Sequence, residues 1–255
     1  MNSITLTGAD SSISLMLKPF PKASIRRNVT WEQASSGEWY PCDRGAQADF
    51  YDAEVTVFGE KADMDAFSAW LDAQGRETFE VSNVNGVVFA PNVNQTVDFD
   101  VTILGMQALK RVFWASPTNG VDEVTFTLRA IDPTLYGTTG SLSALSLEPQ
   151  YEHGKSFESF PTFLQDGSAV HHDLRNDAGR FVGDFNQTTT EAIALLNFLV
   201  GVGRADSFAF PSIGVEYPFG VSKGDSVLCR AKEFSLNRSS LNRWNLGIEF
   251  VEALA

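Results

Sequence analysis

Apolar residues recur along this chain with two periods, and the order in which the periods alternate is repeated. Residues 52–58 alternate polar and apolar, as a half-buried strand does. After them Met64, Phe67, Trp70 and Leu71 share one stripe of a helix over about 61–74. Lys61, Asp63, Asp65 and Asp72 take its wet side, and Gly75 stands where a left-handed cap belongs. A second strand pattern over 179–185 precedes a second helix over 188–200. There Thr188 and Glu191 have capping-box spacing, Ile193, Leu195, Leu196, Leu199 and Val200 form the stripe, and Gly201 and Gly203 end it. The words Ala66-Phe67, Trp70-Leu71 and Gly75-Arg76 return as Ala194-Leu195, Phe198-Leu199 and Gly203-Arg204, each 128 residues later.

The flanks agree as well. Short strands over 78–81 and 207–210 follow the helices. Then come Gly/Pro/aromatic loops over 84–91 and 213–220, and two long alternating strands close each unit, at 97–104 and 124–131, then at 227–236 and 244–251. Period-two alternation buries one face of a sheet and wets the other. The expected fold is therefore mainly β, a β-sandwich or half-barrel with one flanking helix per unit, in two tandem similar units. Residues 1–136 form the first unit with an N-terminal extension, the small polar stretch 137–150 reads as a linker, and 151–255 form the second. Residues 4–17 read as an edge strand. Ser35-Ser36-Gly37 reads as a hairpin turn between strands bearing Trp31, Trp39 and Tyr40, with 151–168 as its weaker counterpart.

Composition narrows the function classes. The net charge of −13 argues against a nucleic-acid binder, which needs a basic stripe. It suits solubility, or a carboxylate-lined channel past which DNA slides without sticking. No run of 18 apolar residues marks a membrane helix, and the N-terminus has no basic, apolar, cleavable signal, so neither membrane insertion nor standard secretion is expected. Cys42 and Cys229, far apart, read as reduced thiols.

Catalytic motifs are missing: no Walker loop, dinucleotide fingerprint, nucleophile elbow or HExxH occurs. His171-His172-Asp173 reads as a solvated loop, since adjacent histidines on a strand point apart and chelate poorly. Asp98 and Asp100 share a strand face, which reads as wet surface; paired-acid hydrolysis would need a cleft. Asp122-Glu123 and Asp63/Asp65 read as turn and helix-surface acids. Trp31, Trp39 and Tyr40 are the residues for a sugar-stacking platform, or else the packing of a small hairpin. No catalytic residue, cofactor or metal site is expected. The tips of the two Gly/Pro loops (Val87, Val88 and Phe89; Val215, Tyr217 and Phe219) match in character. They either make subunit contacts or fold back on their own sheets.

The helix words Ala66-Phe67/Trp70-Leu71 and Ala194-Leu195/Phe198-Leu199, the strand order and the ending Leu241-Asn-Arg-Trp-Asn-Leu-Gly-Ile-Glu-Phe-Val251 resemble tail proteins of long-tailed bacteriophages. The resemblance spans roughly residues 50–255 and is one of pattern. It implies the tail-tube fold and a structural, non-enzymatic role at the distal tail or tail tip, in the virion, after synthesis in the host cytoplasm. It also implies that two units per chain let a homotrimer imitate a sixfold ring. The implied partners are other copies of the chain, the tail tube protein and a tail-tip hub protein, with DNA passing through without specific binding. A sixfold tube or distal-tail ring is the near alternative. A carbohydrate-binding host-recognition module using Trp31, Trp39 or Tyr40, and a hydrolase using Asp98 and Asp100, are the distant ones.

Overall fold

The computed structural model describes residues 2–19, 22–26, 29–33, 39–43, 49–75, 78–82, 84, 88–108, 110–113, 120–137, 147–155, 158–163, 169–174, 179–201, 206–209 and 228–253. In chain order the elements are β1 (Ser3–Thr7), β2 (Ser12–Leu17), β3 (Lys22–Arg26), β4 (Val29–Gln33), β5 (Trp39–Asp43), β6 (Phe50–Gly59), α1 (Lys61–Gln74), β7 (Phe79–Ser82), β8 (Phe99–Met106), β9 (Lys110–Phe113) and β10 (Gly120–Ile131). They continue with β11 (Leu147–Lys155), β12 (Glu158–Phe163), β13 (Ala169–Leu174), β14 (Gly179–Thr188), α2 (Thr189–Gly201), β15 (Phe208–Ala209), β16 (Leu228–Ser240) and β17 (Arg243–Glu252). The fold is mainly antiparallel β with two helices among the described residues. Two compact units divide it. Unit 1 is Met1–Arg26, Ala48–Gly137 and Leu236–Arg243; unit 2 is Arg27–Gln47, Thr138–Ser235 and Trp244–Ala255.

The wall of unit 1 closes on itself. Its strands run β6-β2-β1-β7-β8-β10, and β10 pairs back to β6 over Asp122–Ala130, so the ring of six has no free edge. β3 joins the first half of β6, where Ser24 faces Asp52, and β2 takes the second half, where Leu17 faces Val57. The N-terminal segment is thus not one edge strand but two strands inside the wall, joined by a turn in which the Gly8 amide bonds the Ser11 carbonyl at 2.9 Å. The buried positions show why. Ile4 and Leu6 lie inside, and burial resumes at Leu15 and Leu17, an odd number of residues on, which a single strand cannot accommodate.

Val55, Val57, Val101, Phe126 and Leu128 are buried inside the wall, and α1 packs there, its Phe67 ring 5.6 Å from Phe126 and its Trp70 ring 5.0 Å from Phe79. Leu71 is only half-buried, and Gln74 takes the last inward position of the stripe. Gln74 Oε1 accepts the Ala9 amide at 3.2 Å, and its Nε2 donates to Ser11 Oγ at 3.4 Å, so the helix end latches the β1–β2 turn. Gly75 caps α1 at φ 70°, its amide bonding the Leu71 carbonyl at 3.0 Å.

Unit 2 holds a five-stranded sheet in the order β11-β14-β17-β16-β15, and two-stranded hairpins β12–β13 and β4–β5 also belong to it. Thr188 and Glu191 form the expected box at the start of α2. The Thr188 amide donates to Glu191 Oε2 at 2.8 Å, and the Glu191 amide donates to Thr188 Oγ1 at 3.4 Å. Leu195, Leu196 and Leu199 of α2 are buried, as are Phe181, Phe185, Trp244 and Phe250 of the sheet. Phe250 lies 6.2 Å from each of Phe181, Phe185 and Phe208.

The two sheets share a plan. The order β3-β6-β10-β8-β7, read through the β6–β10 pairing of unit 1, is matched by β11-β14-β17-β16-β15, and each helix follows the second strand of that order. Shifting β3, β6, α1, β7 and β8 by the 128-residue offset lands them on β11, β14, α2, β15 and β16. β10 and β17 fall out of step because residues 107–119 separate the last long strands of unit 1, against the two-residue turn 241–242 in unit 2. β11 begins at Leu147, inside the stretch read as a linker.

Candidate functional site

Strand alternation gives the unit-1 wall an outer face, opposite the side on which α1 packs. β1 places Ser3, Thr5 and Thr7 there, β2 places Ser12 and Ser14, β6 places Glu54 and Thr56, and β10 places Thr125 and Thr127. Their hydroxyls pair with one another across strands, Thr5 with Ser14 and Thr56 with Thr125, both at 2.8 Å. The same face also carries Met16 opposite Phe58, and its charges Glu54 and Glu123 are paired with Lys22 and Lys18.

Toward the β3 end the same face carries an ion cluster. Asp52, directly opposite Arg129 on β10, accepts from Arg129 Nε at 2.7 Å and from its NH2 group at 2.9 Å, and Arg26 adds a third contact at 3.1 Å. The Asp52 side chain is 3% exposed, Arg129 23% and Arg26 63%. The Arg129 guanidinium lies 4.4 Å from the Phe50 ring centroid, and its hydrogen bonds to Asp52 raise its pKa above the ordinary arginine value. The cluster is a structural clamp across three strands. A lone acid on an alternating strand was its sole sequence signal.

Beside it lies a shallow groove of about 290 Å³, where the β8–β10 register slips between Thr127 and Leu128. Leu104, Gly105, Met106 and Thr125 line it, with Arg26 and Glu54 at its rim. Leu104 is 45% exposed and Met106 53%. Gly105, an isolated glycine inside a strand, was the available signal for this bulge.

Of the loop-tip residues, Val88 and Phe89 are core rather than contact residues. They are 1% and 0% exposed, their amides donate to Gln95 Oε1, and Phe89 meets Phe99 edge-on at 5.3 Å. Asn92, equally buried, donates to the Tyr51 hydroxyl at 3.4 Å and accepts the Tyr136 amide at 2.8 Å. Val88 and Phe89 turn inward onto their own unit because their amides find a partner there. Val87, Val215, Tyr217 and Phe219 lie outside the described residues.

Asp98 precedes β8 and is exposed. Asp100 is exposed on β8, directly opposite Glu80 of β7, and neither aspartate lines the groove. Asp122 and Glu123 are not turn acids. They lie within β10, 3% and 8% exposed: Asp122 shares the inward parity of Val124 and Phe126, whereas Glu123 shares the outer parity of Thr125 and pairs there with Lys18. His171 and His172 sit on β13 rather than in a loop, and no group of metal-binding side chains is assembled among the described residues. Trp31 faces Pro41 and Tyr40 faces Glu32, so Trp31 and Tyr40 occupy opposite faces of the β4–β5 hairpin. Arg230 stands 5.8 Å from the Tyr40 ring. Cys42 and Cys229 are thiols rather than disulfide partners; Cys229 is buried, and burial pushes its pKa up. No helix among the described residues is long and apolar enough to cross a membrane.

Compared with protein-family models and with curated proteins, the chain matches none.

Proposed function

We propose that the protein is a structural component of a long-tailed phage tail, a ring at the distal tail or tail tip that continues the DNA channel and joins tube to tip. The observation that carries this reading is the shared plan of the two sheets, with the same strand order and the helix after the same strand. Two like units per chain let three chains offer six like faces, the geometry needed where a sixfold tube meets a threefold tip. The closure of six strands in unit 1 supports the role too, because it leaves only the short β3 and β9 as edges that could recruit wrong partners. A chain of charge −13, whose unit-1 wall ties two pairs of outer hydroxyls to each other, suits a channel that passes DNA without binding it. In this role the chain does no chemistry. Its work is done by shape and charge, with the tail tube protein and a hub protein as axial neighbours.

Negative-stain electron microscopy of the purified chain, alone and mixed with assembled tail tubes, tests the reading. Rings with a central hole and three- or sixfold averages, or density added at a tube end, are expected. Failure to form rings in both samples refutes it.

A further inference from the structure

A hairpin is inserted between the first two strands of the shared order in both halves of the chain: β4–β5 between β3 and β6, and β12–β13 between β11 and β14. The 128-residue offset carries β4 and β5 to 157–161 and 167–171, within three residues of the bounds of β12 and β13. The hairpins also share their charge. Residues 29–43 hold Glu32, Glu38 and Asp43, residues 158–174 hold Glu158, Asp166 and Asp173, and neither stretch has a lysine or arginine. Among the described residues each hairpin is a two-stranded sheet of its own.

The first hairpin shows where such an arm goes. It lies in sequence between two strands of unit 1, yet Arg27–Gln47 is part of unit 2. There the Tyr40 ring lies 5.8 Å from the guanidinium of Arg230 on β16. Both hairpins are thus counted in unit 2, and unit 1 holds neither. The offset also finds the matching place on unit 1. It maps the buried Cys229 onto Val101, buried as well, and Arg230 onto Thr102, half-buried on the outer face of β8. Thr102 stands directly opposite Arg129. Arg129 and Arg26 share the one carboxylate of Asp52, so this part of the face has a cation in excess. Asp100, opposite Glu80 on the β7 side, repels acids and directs them toward β10.

We propose that the β12–β13 hairpin of one copy packs on the outer face of β8 in unit 1 of a second copy, around Thr102, as β4–β5 meets β16 around Arg230. The occupant is a second copy because the chain's own first hairpin is already used on unit 2, and because an acidic arm complements the paired arginines beside Thr102. Hairpin and face are different patches of one chain, so the contact is head-to-tail and propagates into a ring or an open helix rather than closing as a twofold dimer. It rests on the ring reading and deepens it by naming the surfaces that would join the members.

Sedimentation velocity of the full chain over a concentration series provides the test. One variant, Glu158→Lys with Asp173→Lys, reverses the charge of the hairpin; the other, Thr102→Trp, blocks the face. The wild type associates as concentration rises, and each variant alone associates roughly tenfold more weakly. Mixed together, the two variants form one-to-one pairs and stop there, because each keeps only one half of the contact. Asp166→Lys and Leu104→Glu repeat the test if either first variant melts early. A wild type monomeric throughout, a folded variant that associates like the wild type, or a mixture that does not pair overturns the proposal. Microscopy of the same samples separates the two ideas. Rings persisting in both variants sink this contact and leave the ring reading standing, whereas wild-type filaments that the variants abolish support the contact and sink the ring.

Discussion

The Asp52 clamp makes an asymmetric prediction. Replacing Arg129 with alanine leaves a carboxylate that is 3% exposed, with Arg26 as its sole remaining arginine partner, and removes the cation seated on Phe50. A fully unpaired buried charge costs roughly 3–5 kcal/mol, an upper bound here because Arg26 stays at 3.1 Å, and the lost ring contact adds about 0.5–1 kcal/mol. Replacing Asp52 with alanine instead strands Arg129, which at 23% exposure still reaches water and still lies on Phe50. The expected cost is that of the lost charged hydrogen bonds, about 1.5–3 kcal/mol. Arg26→Ala, at a mostly exposed site, costs less than about 1 kcal/mol. The double variant with leucine at Asp52 and Arg129, which removes the buried carboxylate together with its main partner, is milder than Arg129→Ala alone. Against a typical total of about 5–15 kcal/mol these differences are large. Urea-dependent hydrogen exchange, read on peptides covering residues 50–59 and 120–131, reports unit 1 without interference from unit 2. A smaller cost for Arg129→Ala than for Asp52→Ala would refute the argument that the buried carboxylate dominates.

Three further outcomes are expected. Gln74→Leu leaves the Ala9 amide without its acceptor and loosens the β1–β2 turn, costing about 1–3 kcal/mol in chemical denaturation and selectively deprotecting residues 8–11. Gly183→Ala places a methyl 2.9 Å from Phe181 and 3.0 Å from Phe185, so unit 2 loses about 1–3 kcal/mol, while Gly105→Ala, facing open space, loses much less. Cys229 resists alkylation until the protein unfolds. Its raised pKa means that above the ordinary thiol value of about 8.5 the native state holds more protons than the unfolded one, so stability falls as pH rises. Urea midpoints from pH 8 to 10 should therefore fall more steeply in the wild type than in Cys229→Ala, by up to about 1.4 kcal/mol per pH unit. Equal slopes would contradict the assignment.

Local signals carried much of this fold. Met64, Phe67 and Trp70 mark the buried stripe of α1, and Thr188 with Glu191 marks the start of α2, because both depend on residues within one or two turns. What stayed hidden depends on long-range register. Gln74 looks like a wet residue at a helix end, and it is buried by partners at positions 9 and 11 that no local pattern connects to it. Asp52 meets Arg129 because β6 and β10 align over nine residue pairs, and a shift of one would have turned it to the other face. Val88 and Phe89 resemble an exposed loop tip until Gln95 and Phe99 are seen to hold them inside. The odd spacing between Leu6 and Leu15 was readable and implied the turn; the partners of the two resulting strands, β6 and β7, were not.

The seam made by those first two strands also sets a timetable for synthesis. β1 and β2 leave the ribosome before any of their neighbours, yet Leu17 waits for Val57 and Leu6 for Val81, and the wall cannot shut until β10 meets β6. Through that interval the nascent hairpin displays Ile4, Leu6, Leu15 and Leu17, all destined for the interior, so strands made before their partners are among the last to be covered. Stalled chains ending before residue 120 should therefore be far more sensitive to protease within residues 3–17 than chains released at full length.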